Sequence, residues 1–112
     1  MKLVREKISI DELRELAKED YVNMIKAVVD IEREIMAVGG ELHADEEMLL
    51  LDEGSNQKDL WGINIEFDKP KNERIIFDSL INIRPRNYNQ SRAVENPEIR
   101  EKIIQIINKL IS

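Results

Sequence analysis

The chain has no cysteine, one histidine, one tryptophan and four other aromatic residues among 112. Without cysteine there is no disulfide framework, no cysteine-ligated zinc or iron–sulfur centre and no thiol nucleophile. A lone imidazole excludes a histidine-rich metal site, and any serine–histidine chemistry would have to be built on His43. Long apolar runs are also missing. The longest, such as Met48-Leu49-Leu50-Leu51, fall far short of the roughly 20 residues that span a bilayer. The start, Met1-Lys2-Leu3-Val4-Arg5-Glu6, carries no apolar signal core, so the expectation is a cytoplasmic protein with no membrane partner.

What is present is a globular composition, 42% apolar and 36% charged, of a size that forms one domain over residues 1–112. The formal net charge of −6 argues against general nucleic-acid binding, which requires a basic footprint. The charge is uneven: residues 41–60 sum to −6 and residues 84–112 to +3. With so much charge, no cysteine and 17 isoleucines the composition leans toward a heat-adapted organism, although nine asparagines pull the other way.

Helix signals are clear at both ends. Ser9 and Glu12 form an S-x-x-E capping box, Ile8 and Leu13 are placed as a hydrophobic staple, and Leu13, Leu16 and Ala17 make the apolar stripe of a helix over about Ile10 to Lys18. Near the other end Asn96 caps, Pro97 takes the first helical position, and Ile99, Ile103, Ile106 and Leu110 form a seam. Between them, Asp45 opens a short central helix that Gly54 closes. Residues 21–40 fit two periods. Met24, Val28, Ile31, Ile35 and Val38 recur at helical spacing, whereas Ile25, Ala27, Val29 and Ile31 alternate as a strand followed by Ile35–Val38. The β-branched content and the roughly 43 Å that a continuous helix would need favour a hairpin turning at Glu32-Arg33-Glu34. Trp61, Ile63, Ile65 and Phe67 alternate in a third strand, and Ile75 to Ile83 in a fourth, which Pro85 ends. The predicted fold is α+β: helices on one face of an antiparallel or mixed four-stranded sheet, with an N-terminal, a short central and a C-terminal helix.

Several strings carry a resemblance. Lys26-Ala27-Val28-Val29-Asp30, Glu41-Leu42-His43-Ala44-Asp45, Leu60-Trp61-Gly62-Ile63-Asn64 and Ile81-Asn82-Ile83-Arg84-Pro85 resemble a family of small uncharacterised prokaryotic proteins catalogued as a domain of unknown function. The resemblance runs from about Ile8 to Leu110. It implies a glycine near the position of Glu34, where this chain departs, and it implies no activity, substrate or cofactor.

Three groups could carry chemistry. Glu41, His43, Asp45 and Glu47 set one imidazole among carboxylates, a donor set that can hold a divalent metal and activate water, or simply cap a helix. Arg84, Arg86, Asn89 and Arg92 lie in a segment without acid before Glu95, and arginine grips phosphate or carboxylate bidentately. The competing role for these arginines is to pair with carboxylates of residues 41–53. Asn64, Asp78, Asn82 and Arg84 fall on one face of the last hairpin, as a pocket floor or a wet sheet face.

Two functional readings stay open. In the first the protein is a non-enzymatic binding protein, without cofactor, that takes a small anion or a partner on the basic loop 84–92. In the second it is a small metal-assisted hydrolase using Glu41, His43, Asp45 and Glu47. The first reading includes self-association. From Ile99 to Ile111 seven apolar residues spread over an arc of about 160°, wider than the roughly 100° one packed face needs. The excess at Ile104, Ile107 and Ile111 predicts a homodimer face unless the N-terminal segment covers it.

Overall fold

The computed structural model describes residues 1–17 and 23–112. The alternation around Ala27 is realised as a strand, Met24–Asp30, and Ile35–Val38 returns antiparallel beside it, so the hairpin reading of this region holds. Five strands in all form one antiparallel sheet: β1 (Lys2–Val4), β2 (Met24–Asp30), β3 (Ile35–Val38), β4 (Leu60–Glu66) and β5 (Ile75–Ile76), in the order β1-β3-β2-β4-β5. The sheet thus has one strand more than the four expected. β1 is only three residues long and follows no turn signal, so periodicity could not reveal it.

The β2–β3 turn is held by a carboxylate rather than by turn residues. Asp30 is fully buried. Its Oδ1 accepts from the backbone N–H of Glu32 (2.9 Å) and Arg33 (3.0 Å), and its Oδ2 accepts from the Ser55 hydroxyl at 2.6 Å. Glu34 then takes a left-handed φ of 57°, the conformation that suits the glycine implied at this position by the resemblance.

Helices cover both faces, not one. α1 (Ile10–Ala17) and α3 (Pro97–Leu110) pack on the face that carries Ile25, Ala27, Val29, Met36, Trp61 and Ile63. α2 (His43–Asp52) covers the opposite face, where Val28, Ile35, Ala37 and Leu60 meet Leu50 in a smaller core. Val28, the one break in the expected alternation, is the signature of this second apolar face. Ser9 Oγ accepts from the Glu12 N–H at 3.1 Å and Asn96 Oδ1 from the Glu98 N–H at 2.8 Å, as the capping signals require. The expected end of α1 at Lys18 lies outside the described residues. No described helix is long and apolar enough to cross a membrane.

Most of the wide apolar arc of α3 is taken up inside the chain. Ile103, Ile106, Ile107, Leu110 and Ile111 are all buried. The Ile8 N–H donates to the Leu110 carbonyl at 2.8 Å, drawing the N-terminal segment along the flank that the sheet leaves open. Of the three residues in excess, Ile107 and Ile111 are buried in their own chain and Ile104 is half-buried. The fourth strand is also shorter than its alternation suggested. β5 stops at Ile76, because Ser79 Oγ accepts from the Ile81 N–H and starts a 3₁₀ turn, Leu80–Asn82.

Candidate functional site

β5 pairs with β4 only at Asn64 and Ile65, which leaves the edge of β4 open from Leu60 to Ile63. Side chains from the following loop close it. Asn82 is fully buried; its Oδ1 accepts from the Gly62 N–H at 2.8 Å while its Nδ2 donates to the Gly62 carbonyl at 2.9 Å. The Arg84 guanidinium donates to the carbonyls of Gln57 and Leu60 and stacks 4.4 Å from the centroid of the Trp61 ring. Asn89, 2% exposed, ties the loop to itself. Its Nδ2 donates to the carbonyls of Asn82 and Ala93, and its Oδ1 accepts from the Glu95 N–H. The Glu95 carboxylate in turn accepts from the N–H groups of Gln90 and Ser91. Hydrogen bonds from Ser91 and Gln90 hold its pKa below the ordinary carboxylate value.

These contacts redistribute the basic loop. The polar atoms of Asn89 are consumed within the chain, and the loop donors near it are occupied by Glu95. Arg92 pairs with Asp78, Nε to Oδ1 at 2.7 Å, rather than with residues 41–53. Arg84 and Arg86 form no ion pair among the described residues, so the expected bridge between the basic loop and the acidic segment is not made. Three of that segment's six acids are engaged elsewhere. Asp45 accepts from the Leu42 N–H, Glu53 pairs with Arg5, and Glu46 is buried.

Arg84 and Arg86 instead come together at a cleft of about 350 Å³. Its lining adds Lys58, the amides of Gln57 and Asn87, and the apolar Ile83 and Pro85, with no acidic residue. The Asn87 side chain donates to the Lys58 carbonyl at 3.3 Å, which fastens the two walls. Arg84 Nε is a buried donor without a partner. Burial lowers the pKa of Arg84, against the opposing fields of Glu47 and Asp59.

A second cleft, of about 230 Å³, opens on the other side of the Leu80–Asn82 turn. It is lined by His43 and Ala44 of α2, by Lys26 and Asn64, cross-strand neighbours on β2 and β4, and by Asp78, Ser79, Leu80 and Arg92. Of the hairpin-face group, Asn64 and Asp78 thus reach this cleft, while Asn82 and Arg84 serve the β4 edge.

The four residues of the acidic cluster are not brought to one point. His43 Nε2 lies 2.7 Å from the Ile63 carbonyl, Glu41 is exposed, and Asp45 serves the start of α2. Glu47 Oε2 is buried without a partner. Among the described residues no three histidine, aspartate or glutamate side chains are grouped to hold a metal. The acid of greatest chemical interest here is one the sequence reading passed over. Glu46 Oε2 accepts from the Gly40 N–H at 2.9 Å, Oε1 is buried without a partner, and burial raises its pKa to about 9. Its one sequence signal is the i, i+4 spacing to Leu50 on the covered face of α2.

The family model DUF5674, described as a protein of unknown function, matches residues 2–110. No curated protein and no solved structure matches the chain.

Proposed function

We propose, for a chain that belongs to the DUF5674 family and takes no activity from it, that the protein binds a small anion in the cleft between Lys58 and Arg86. One observation carries this reading: three cationic side chains line the cleft and no acidic one does. The three differ in role. Arg84 is committed to the Gln57 and Leu60 carbonyls and to the Trp61 face, so it forms a rigid cationic floor. Lys58 and Arg86 stand at the walls and supply the adjustable charge. Ile83 and Pro85 lower the local polarity, which strengthens the attraction for an oxyanion. A phosphate or a carboxylate meets the same donors, and arginine suits either. This reading keeps the protein a binding protein rather than an enzyme, and assigns the site to a single chain.

Titration calorimetry at low ionic strength, with sodium phosphate in one arm and sodium acetate in the other, tests the reading and separates the two chemistries. We expect saturable binding of at least one of them, weakened about fivefold or more by Arg86→Gln and again by Lys58→Gln. Binding unchanged in the double variant, or no saturable heat from either salt, overturns it.

A further inference from the structure

The second cleft has a different chemical character, and two backbone carbonyls define it. A carbonyl oxygen can only accept, so the Ile63 carbonyl 2.7 Å from His43 Nε2 requires that nitrogen to carry the proton. His43 Nδ1 is then a bare lone pair whenever the ring is neutral. It makes no hydrogen bond among the described residues, and it is not among the buried atoms lacking a partner, so it meets solvent. The Asp78 carbonyl does the same for Asn64. It lies 3.5 Å from the side-chain amide, which must present Nδ2 there and leave Oδ1 as the other end. Asn64 Oδ1 is buried and has no donor. Two acceptors of fixed polarity therefore belong to residues lining one small cleft.

The charged neighbours narrow the ligand further. Arg92 and Lys26 line the cleft and disfavour a cation, and the Asp78 carboxylate, which also lines it and pairs with Arg92, opposes an anion. Leu80 and Ala44 provide apolar walls. About 230 Å³ is below the range of drug-sized sites and suits a molecule of monosaccharide size. Burial lowers the His43 pKa, with Lys26 and Arg92 adding to the effect and the Ile63 hydrogen bond and Asp78 opposing it. The ring is accordingly neutral at pH 7.

We infer that this cleft is a second binding site, for a small neutral polyol whose adjacent hydroxyls donate to His43 Nδ1 and Asn64 Oδ1. Hydroxyls fit because each donates to one of these acceptors and can still accept from Arg92. The site is separate from the basic cleft, and neither assignment depends on the other.

The test uses the full chain, labelled with nitrogen-15, and follows the His43 ring nitrogens by NMR during titration. The probes are myo-inositol, D-ribose and D-glucose, with sodium acetate and ethylammonium chloride as the anionic and cationic controls. The expected result is a saturable shift of the His43 Nδ1 resonance with at least one polyol, while Nε2 keeps its proton. The Asn64 side-chain amide should move with it, and neither control should reproduce the effect. Asn64→Ser should weaken that binding about tenfold with the amide spectrum otherwise retained. The inference is overturned if no polyol shifts Nδ1 in the unsubstituted chain, or if acetate or ethylammonium shifts it in place of the polyols. It is also overturned if Nδ1 proves to be the protonated nitrogen in the free protein.

Discussion

Asn82 stands to Gly62 as a strand partner would, accepting from its N–H at 2.8 Å and donating to its carbonyl at 2.9 Å. One side-chain amide therefore substitutes for a residue of sheet, and closes the β4 edge where β5 falls short. Replacing Asn82 with alanine leaves a buried N–H and a buried carbonyl without partners. Urea unfolding should show a loss of about 2–4 kcal/mol. A change below about 0.5 kcal/mol would mean that water replaces the amide at no cost.

Gly62 is constrained from above as well. A Cβ there would lie 2.6 Å from both Cβ and Oγ of Ser79, which approaches the sheet as the chain enters the Leu80–Asn82 turn. Gly62→Ala should cost about 1–3 kcal/mol by displacing this segment. Because the segment walls the second cleft and leads into the residues of the first, the variant should also broaden the resonances of Leu80 to Arg84. An unchanged melting temperature and spectrum would contradict the packing described.

Arg84 and Arg86 should separate in their behaviour. Arg84→Lys keeps the charge but cannot span the Gln57 and Leu60 carbonyls while lying flat on Trp61, so about 1–3 kcal/mol of stability should be lost. Arg86→Gln should leave stability within about 0.5 kcal/mol, since the residue is exposed and makes no ion pair among the described residues. Thermal and urea denaturation of the two variants checks the contrast; equal effects would refute it.

Glu46 gives a pH dependence with a definite sign. Its folded pKa is about 9 against an ordinary 4.5, so the folded state holds a proton that the unfolded chain releases between those values. The stability associated with that proton is complete below pH 4.5, declines as pH rises and is gone above about 9. Glu46→Gln keeps an acceptor for the Gly40 N–H and cannot ionise. It should flatten this decline and raise stability at pH 8 by on the order of 1–3 kcal/mol. Parallel stability profiles for the two proteins from pH 5 to 9 would contradict the assignment.

The hairpin, the helix caps and the core positions of β4 were legible because each rests on local rules: period-two alternation, Ser9 and Asn96 as caps, Pro97 at a helix start. What was not legible depends on long-range partners. Nothing local marks Lys2–Val4 as a strand, since its partner β3 is more than thirty residues away. Asn82 and Arg84 read as members of a polar sheet face, yet their side chains turn sideways into the β4 edge. The basic loop was found, but its donors were divided by contacts invisible in the sequence: Asn89 inward, Arg92 to Asp78, and only Arg84 and Arg86 to the basic cleft. Lys58 was missed because it lies 26 residues before Arg84 in an acidic stretch. Asn64 and Asp78, His43, and Arg92 were singled out in three separate groups, and only the fold unites them.

The central claim is that the cleft at Lys58 and Arg86 receives an anion. Its most direct test is a phosphate titration of the nitrogen-15-labelled protein at constant ionic strength, followed residue by residue. The account predicts saturable shifts at Lys58 and from Ile83 to Asn87, with Gln90 and Ser91 unmoved because the Glu95 carboxylate already occupies their N–H groups. Shifts that grow without saturation, or that fall on Gln90 and Ser91 while Lys58 and Arg86 stay still, would contradict it.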